Sequence, residues 1–558
     1  MQTLLQILKN NYDKHPEQVA ITFQQAGQPD LPITTRELLD RATGSQQMLE
    51  AEGILPGEVV LLILQHSEDL IYTYFGTILH GAIPSIMPYL TEKLQPDRYR
   101  ADLAALIEVT RPAAIFTYAD FEPEVDAALK EGDSVRAVMI AEQRPDEATP
   151  TFDLSRRQPQ DIVLLQHSSG TTGLQKGVAL SHQAVLNQID SYANVLHLTE
   201  EDVVVSWLPL YHDMGLIAGF LMPILYGMPL VLMSPFDWVR APYRLMQAIS
   251  QYQGTLTWLP NFAYNFCAQK IRPRHMEGVD LSSLRAVINC SEPMRHESHQ
   301  LFLNTFQPFG FKASAIATSY AMAENTFAVT QGGIDSPVAI DPIDRDSLQM
   351  ERVARPAMNN KAQINMVSAG KPIPKTKVKI VDPDGNALPD RKIGEIALQS
   401  NCMLTEYYHR PNTTQQSLMD GWFLTGDFGY MVDGEVYITG RKKDLIIVGG
   451  KNIYPQDLER IAMTVNGVHP GRVVAFGIFS PRLGTEQVVI VAEVDTEDEG
   501  EKSRIANDIR QSVTQGSAVA LRTVHLVAEG WIIKTSSGKT ARLANRHKFI
   551  QETSFSIE

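Results

Sequence analysis

Apolar strand-like runs alternate with helix-like segments along the N-terminal half of this chain. The runs begin at Val59, Ala113, Arg136, Asp161, Pro229 and Arg285. Between them, segments 67–80 and 243–252 place apolar residues at helical spacing. This alternation predicts an α/β fold of layered helices and strands. Because 558 residues exceed what one hydrophobic core can serve, we expect two or more domains.

The sequence changes character near Lys371. Three short strand-like stretches follow, KVKIVD, GEIAL and GEVYITG, and turn sequences such as DPDG at 382–385 join them. They predict a β-rich subdomain over about 371–440. Residues 441–558 have the length of a small α+β domain. We therefore predict a large domain over 1–440 and a small, mobile one over 441–558.

Charge and cysteine content limit the partners and the compartment. A formal net charge of −15 argues against a nucleic-acid partner, since phosphate backbones bind basic surfaces. The cysteines, Cys267, Cys290 and Cys402, show neither metal-ligand nor disulfide spacing, which fits a reducing cytoplasm. Segment 214–236 is uncharged but contains prolines and glycines, so we predict that it is buried core and not a membrane span.

The segment LQHSSGTTGLQKGV, residues 165–178, predicts a phosphate-binding loop. It places hydroxyl groups, glycines and a lysine directly after an apolar strand. Hydroxyls, closely approaching backbone N–H groups and an ammonium group all bind phosphate oxygens. The segment lacks the spacing G-x-x-x-x-G-K-[ST], so a surface turn remains the alternative for this segment alone. The candidate ligands are Ser168, Ser169, Gly170, Thr171, Thr172, Gly173 and Lys176.

Five further motifs follow in order: YHDMG (211–215), SYAMAENT (319–326), GWFLTGDFGY (421–430), GRKKD (440–444) and KTSSGK (534–539). Together with the loop, they make nearly the whole chain resemble the adenylate-forming, AMP-binding superfamily. Within it, the closest resemblance is to fatty acyl-AMP ligases. This resemblance implies that the chain is an enzyme that activates a carboxylic acid with ATP, giving an acyl adenylate and pyrophosphate. It also implies ATP and Mg²⁺ as cofactors.

The resemblance assigns three residues to catalysis. Lys539 matches the lysine that bridges the carboxylate and the α-phosphate, and Glu324 matches the glutamate associated with Mg²⁺. His212 matches an imidazole near the acyl carboxylate. Two like unit charges about 4 Å apart repel by roughly 1 kcal/mol in water and about 4 kcal/mol in a protein-like dielectric. Placed positive charge is therefore what the reaction of a carboxylate with ATP requires.

The resemblance also implies positions for the nucleotide and the acid. For ATP or AMP it implies Ser291, Glu292, Pro293, Ser319, Tyr320, Asp427 and Arg441, with Asp427 on the ribose hydroxyls and Tyr320 on adenine. For the acid it implies His212, Trp258, Asn261, Phe262 and Thr318. Lys443 occupies the position about which the small domain rotates. By composition alone, the charged stretch 441–444 is typical of a solvated turn.

The sequence says less about which acid is activated and which thiol accepts the acyl group. Nothing in segment 257–264 suggests a partner for a substrate ammonium group, so we expect an acid without an α-amino group. The resemblance to fatty acyl-AMP ligases implies a medium- or long-chain fatty acid. The stretch 340–365 resembles an insertion of fatty acyl-AMP ligases, which pass the acyl group to an acyl carrier protein; a solvated loop is the alternative. The sequence GGK at 449–451 departs from that pattern, which leaves an acyl-CoA synthetase using free CoA open. The third hypothesis is a non-catalytic scaffold that binds nucleotide or acyl chain. Such a protein would be free to lose Lys539 or Glu324, and this sequence has both.

Overall fold

The computed structural model describes residues 2–89, 96–146, 148–168, 176–358, 363–448, 451–480, 485–517, 521–535 and 538–553. The fold is α/β, as predicted. The strands are β1 (Val19–Gln24), β2 (Leu31–Thr34), β3 (Val59–Leu62), β4 (Ile83–Ile86), β5 (Ala114–Thr117), β6 (Ala137–Ile140), β7 (Ile162–Ser168), β8 (Lys176–Ser181), β9 (Val204–Ser206), β10 (Leu230–Met233), β11 (Leu256–Leu259), β12 (Ala286–Asn289), β13 (Ile316–Ala321), β14 (Ala328–Gly332), β15 (Ile340–Asp344), β16 (Gln363–Val367), β17 (Lys371–Pro372), β18 (Thr376–Val381), β19 (Gly394–Ser400), β20 (Glu406–Tyr407), β21 (Leu418–Met419), β22 (Trp422–Val432), β23 (Glu435–Arg441), β24 (Ile446–Val448), β25 (Lys451–Ile453), β26 (Val468–Ser480), β27 (Thr485–Val494) and β28 (Thr523–Val527).

The helices are α1 (Leu4–Lys14), α2 (Thr35–Ala51), α3 (Glu68–His80), α4 (Pro96–Thr110), α5 (Glu122–Asp126), α6 (His182–Val195), α7 (Met222–Tyr226), α8 (Pro235–Arg240), α9 (Tyr243–Tyr252), α10 (Asn261–Lys270), α11 (His296–Phe306), α12 (Pro411–Gln416), α13 (Pro455–Ala462), α14 (Glu499–Ser517) and α15 (Arg542–Thr553). All six predicted runs form strands, namely β3, β5, β6, β7, β10 and β12, and both predicted helical segments form helices, α3 and α9.

The largest sheet has nine strands in the order β17-β14-β13-β12-β11-β9-β10-β1-β2. The strands from β13 to β1 run parallel, and antiparallel strands close both edges. The main apolar core packs on this sheet and includes the fully buried Trp238 and Trp258. Because parallel strands end at one edge, the segments after β9 and β12 and the end of β13 come together.

Two smaller sheets flank the first. One is the parallel sheet β4-β3-β5-β6, and the other is β20-β8-β7. Strands β7 and β8 pair antiparallel and lead into and out of the predicted phosphate loop. Segment 214–236 is largely buried and broken, as predicted: a π-helix over Met214–Leu221 is followed by α7 and β10.

The predicted β-rich region is a five-stranded sheet of β18, β19, β21, β22 and β23, although β17 joins the nine-stranded sheet. The stretch around 340–365 is a packed hairpin of β15 and β16 and not a solvated loop. Ile343 of the hairpin is buried where the hairpin packs against the five-stranded sheet. Asp341 accepts a 2.8 Å hydrogen bond from Tyr430 of that sheet. Residues 359–362 lie outside the described part.

Beyond β23, the chain builds a small α+β region from β24–β28 and α13–α15. Its sheet β26-β27-β28 has one apolar core on each face, around Ile490 and around Phe549. This region contacts the rest of the chain through the ion pair of Asp457 with Arg295, 3.1 Å long. The domain limits 1–440 and 441–558 stay a prediction. Within the described ranges, no helix is long and apolar enough to cross a membrane.

Candidate active site

Three predicted site segments meet at the carboxyl edge of the nine-stranded sheet. His212 follows β9, Ser291 follows β12, and Ser319 and Tyr320 end β13. Ser291 holds a left-handed backbone conformation, with φ at 68°, which turns the chain sharply after the strand. Strained turns of this kind concentrate at functional sites. This edge is also where ligands bind in parallel α/β sheets.

The imidazole of His212 lies against the carboxylate of its neighbour Asp213. The distance from His212 Nδ1 to Asp213 Oδ1 is 2.6 Å, and both side chains are largely buried. Asp213 also accepts a 2.8 Å hydrogen bond from the N–H of Met214 at the start of the π-helix. Burial acts to raise the pKa of Asp213, but His212 and Lys539 outweigh it, so the pKa is lowered. Asp213 therefore stays anionic and orients the imidazole.

Lys539 comes from the C-terminal region and reaches this same edge. Its loop is a tight turn in which Gly538 has φ of 81°, a conformation that glycine adopts without strain. Thr535 fastens the turn, since its N–H donates to the Lys539 carbonyl at 2.7 Å. Burial and then Arg441 lower the pKa of Lys539, while Asp213 and Glu292 oppose them. The ammonium group is thus within electrostatic range of two carboxylates and one guanidinium group.

Glu292 joins this cluster to the predicted acid pocket. Its Oε2 accepts a 2.9 Å hydrogen bond from the N–H of Phe262 in the first turn of α10. Burial raises the pKa of Glu292, and Lys539 is among the groups that lower it. The ring of Phe262 is 41% exposed and meets Trp207 and Trp238 edge-on. Glu292 is therefore bound to the backbone of α10 and interacts electrostatically with Lys539.

Two other predicted pocket residues, Asn261 and Trp258, are buried in hydrogen-bond networks. Asn261 accepts from the N–H of Arg295 at 3.0 Å. The indole of Trp258 donates to Tyr192 at 3.0 Å, and Tyr192 donates to Gln331 at 2.8 Å. These hydrogen bonds hold Asn261 and Trp258 in place, because leaving a buried polar group without its partner lowers stability by about 1–3 kcal/mol.

Three more predicted residues lie beside them on β13 and after β12. Thr318 is fully buried within β13. The hydroxyl of Ser319 donates to the Thr330 carbonyl at 2.8 Å. Pro293 follows Glu292 in the same turn. All three belong to the sheet edge that carries His212.

Asp427, Tyr320 and Arg441 form a second cluster. The hydroxyl of Tyr320 donates to Asp427 Oδ2 at 2.6 Å, and Arg441 Nε lies 3.4 Å from Asp427 Oδ1. Asp427 and Arg441 face each other across the β22–β23 ladder, which sets their spacing. Burial raises the pKa of Tyr320, so its hydroxyl remains a donor. The cluster offers a fixed carboxylate for hydroxyl donors and a cation beside it.

Glu324 is the candidate metal ligand. Burial raises its pKa, and the neighbouring Asp213 adds to this, while the hydroxyl of Tyr407 opposes it by donating to Oε1 at 2.8 Å. Two carboxylates in one site favour a bound cation. Among the described residues, no group of three or more His, Cys, Asp or Glu could hold a metal ion. Glu324 therefore fits Mg²⁺ only together with substrate phosphates and water, the usual arrangement for this ion.

The predicted phosphate loop is only partly described. Ser168 ends β7 and pairs with Lys176 at the start of β8. The Lys176 ammonium lies 4.6 Å from the centre of the Tyr407 ring, a cation–π contact. Ser169, Gly170, Thr171, Thr172 and Gly173 lie outside the described residues.

The predicted hinge is held from both sides. Lys442 donates to Glu395 at 2.8 Å, and Asp444 lies 2.9 Å from Arg542. Burial and then Arg441 lower the pKa of Lys443, the predicted pivot. The hinge segment is therefore tied to the β-rich sheet through Lys442 and to the C-terminal region through Asp444.

Sequence reasoning missed three residues of this site. Asp213 stands inside the YHDMG motif and Arg542 three positions after Lys539, so their motifs could have drawn attention to them. Tyr407 carries no local signal, because its partners Glu324 and Lys176 are distant in sequence. Only the fold brings Tyr407 to Glu324 and Lys176.

The assembled edge can hold a polyphosphate next to a carboxylate. Positive charge comes from Lys539, Arg441, Lys443 and Lys176. Arg441 lowers the pKa of both Lys443 and Lys539, and Lys176 lowers that of Lys443, so these charges are within electrostatic range of one another. Asp427 supplies an acceptor for sugar hydroxyls, and Glu324 a carboxylate for a cation. The arrangement supplies charge and orientation, which are what a displacement at phosphorus requires.

Known proteins share this sequence and fold. The family model described as AMP-binding enzyme matches residues 8–408. The medium-chain-fatty-acid–[acyl-carrier-protein] ligase JamA of Moorena producens is 29% identical, over 99% of this chain and 95% of that protein. The long-chain-fatty-acid–AMP ligase FadD32 of Mycobacterium marinum is 31% identical, over 89% of this chain and 85% of its own length. A structure from a study of fatty acyl-adenylate ligases of E. coli and L. pneumophila superposes with a TM-score of 0.90 at 26% identity, covering 99% of this chain and 98% of that one.

Proposed function

Since the chain belongs to the AMP-binding enzyme family, we propose that it joins a medium- or long-chain fatty acid to AMP and then passes the acyl group to an acyl carrier protein. One observation carries the proposal. Lys539, from the C-terminal region, lies within electrostatic reach of Asp213 and Glu292 at the sheet edge. A lone surface lysine would have no reason to be held among these buried groups.

In the first reaction, a carboxylate oxygen of the acid attacks the α-phosphorus of ATP. The bond from that phosphorus to the bridging oxygen breaks, and the electron pair leaves with pyrophosphate. Lys539 would offset the charge of the carboxylate and the α-phosphate, and His212, held by Asp213, would orient the acid. Asp427 would accept hydrogen bonds from the ribose hydroxyls beside Arg441. No proton transfer is needed, because the carboxylate is already the nucleophile.

Mg²⁺, when bound, would neutralise phosphate charge during this step. Glu324 would hold it, with phosphate oxygens and water completing its coordination. Lys176 and the loop that precedes it would hold the leaving pyrophosphate.

In the second reaction, the phosphopantetheine thiol of the carrier protein would attack the acyl carbon. The new carbon–sulfur bond replaces the carbon–oxygen bond to AMP, and the thiol proton passes to solvent. The names of both relatives favour a fatty acid, and that of JamA favours a carrier protein as acceptor. The packed β15–β16 hairpin supports the same acceptor, because it touches the C-terminal region that would have to rotate. Arg345 of the hairpin donates to the Gly516 carbonyl.

An acyl-CoA synthetase remains the second candidate, favoured by the GGK sequence at 449–451. Purified protein is incubated with ATP, Mg²⁺ and a pooled panel of fatty, aryl and amino acids. Parallel reactions contain no thiol, free CoA, or a phosphopantetheinylated carrier protein, and products are identified by mass spectrometry. We expect a fatty acyl adenylate that persists with CoA and is consumed by the carrier. Acyl-CoA formation would favour the second candidate, and no adenylate with any acid would contradict both.

A further inference from the structure

Tyr407 stands between the two groups that the proposed function assigns to the metal and to pyrophosphate. Strand β20 ends at this residue and pairs with β8, which begins at Lys176. Tyr407 is 4% exposed, and its N–H donates to the Thr414 hydroxyl at 2.9 Å. The ring is therefore fixed by its own strand and by α12.

One side chain makes two different contacts. The hydroxyl of Tyr407 donates to Glu324 Oε1 at 2.8 Å. The face of its ring lies under the Lys176 ammonium, 4.6 Å from the ring centre. Phenol can serve both partners at once, because a hydroxyl donates in the ring plane while a cation binds above it.

Glu324 is also held through its backbone by the same segment. Its carbonyl accepts a 2.7 Å hydrogen bond from the N–H of Leu404, three residues before Tyr407. With its backbone carbonyl and Oε1 both held by hydrogen bonds, the Glu324 side chain is restrained in orientation. A carboxylate fixed in advance binds a cation without first losing rotational freedom.

We propose that Tyr407 is a positioning residue that orients Glu324 for Mg²⁺ and places Lys176 for pyrophosphate. It thereby links the metal-binding and pyrophosphate-binding parts of the site. The proposal rests on the proposed function. It assigns the hydroxyl and the ring to separable tasks: the hydroxyl acts on the metal, and the ring acts on the lysine.

Two variants separate these tasks. Tyr407→Phe keeps the ring under Lys176 and removes only the hydrogen bond to Glu324. Tyr407→Leu removes both contacts. Tyr408→Phe, which removes the hydroxyl of the adjacent tyrosine, is the matched control. Thermal unfolding of all four proteins identifies any general loss of structure.

Adenylation is followed by ATP–pyrophosphate exchange while Mg²⁺, ATP and pyrophosphate are varied in turn. For Tyr407→Phe we expect the Mg²⁺ requirement to rise about tenfold, as for loss of a hydrogen bond to a charged group, with the KM for pyrophosphate unchanged. For Tyr407→Leu we expect the KM for pyrophosphate to rise as well, by about two- to fivefold. Calorimetric titration of ATP with and without Mg²⁺ gives a readout independent of turnover. The gain in affinity that Mg²⁺ gives the wild type should shrink in Tyr407→Phe.

A Tyr407→Phe protein with the wild-type Mg²⁺ requirement and the wild-type gain in ATP affinity would overturn the proposal. So would a Tyr407→Leu protein that loses thermal stability while both KM values stay unchanged. Failure of the wild type to form any adenylate is a different result, which would contradict the proposed function itself.

Discussion

Arg542 Nη1 lies 2.9 Å from Asp444 Oδ2, so the start of α15 is joined to the predicted hinge. The same guanidinium group holds Glu459 of α13 at 2.7 Å, and all three side chains are largely buried. Arg542 stands three residues after Lys539. The loop of Lys539, the predicted hinge and α13 are therefore fastened to one another, and a rotation about the predicted hinge would carry them together.

We predict that Arg542→Met will destabilise the C-terminal region by about 3–5 kcal/mol, because two buried carboxylates lose their partner. Adenylation should slow, with kcat falling more than the KM for ATP changes, since Lys539 would no longer be held in place. Urea unfolding and steady-state kinetics measure the two effects. Arg504→Met, which removes a solvent-exposed ion pair with Asp508, is the matched control. Equal losses in the two variants would contradict the assigned role of Arg542.

We predict that Lys539→Ala will reduce adenylate formation by about 100- to 1000-fold, the usual cost of losing one group that stabilises transition-state charge. ATP binding, measured by calorimetry, should change little. The second reaction, started from synthetic acyl adenylate, should also be retained. An unchanged adenylation rate would exclude the mechanism and would favour a non-catalytic scaffold.

The pH dependence of adenylation should have an alkaline limb set by Lys539. Burial and Arg441 lower the pKa of this lysine, so it loses its charge at a lower pH than an ordinary lysine. Because kcat/KM for ATP reports the free enzyme, we expect it to fall as pH rises toward that pKa. Lys539→Arg should lack this limb, since a guanidinium group does not titrate there. A limb of the same position in both proteins would assign it to another group.

We predict that loosening the β15–β16 hairpin from the C-terminal region will increase acyl transfer to free CoA. Arg345→Ala removes the hydrogen bond to the Gly516 carbonyl and should raise acyl-CoA formation several-fold, because rotation about the hinge becomes easier. Arg355→Ala, which removes an exposed ion pair with Glu351 on the same stretch, is the control. Acyl-CoA is measured by mass spectrometry. Equal CoA use in both variants would contradict a role for the hairpin in acceptor choice.

Local sequence was sufficient for the secondary structure that carries the site. The runs that became β3, β10 and β12 are apolar because both faces of a covered parallel sheet are buried, and that pattern is visible without any contact being known. The stretch 340–365 was harder, because its mixed charges fit a solvated loop as well as a hairpin. Its packing depends on Tyr430 and Arg391, which are distant in the sequence.

The sequence by itself determined the α/β class, the order of the motifs and the residue types available for phosphate and carboxylate chemistry. Only the tertiary structure decided that Lys539 interacts electrostatically with Asp213 and Glu292, and that Tyr407 joins Glu324 to Lys176. The physical reason is the distance along the chain over which each feature is determined. Helix and strand periodicity are written into neighbouring residues, whereas these contacts are set by how sheets and the C-terminal region pack, to which residues along the whole chain contribute.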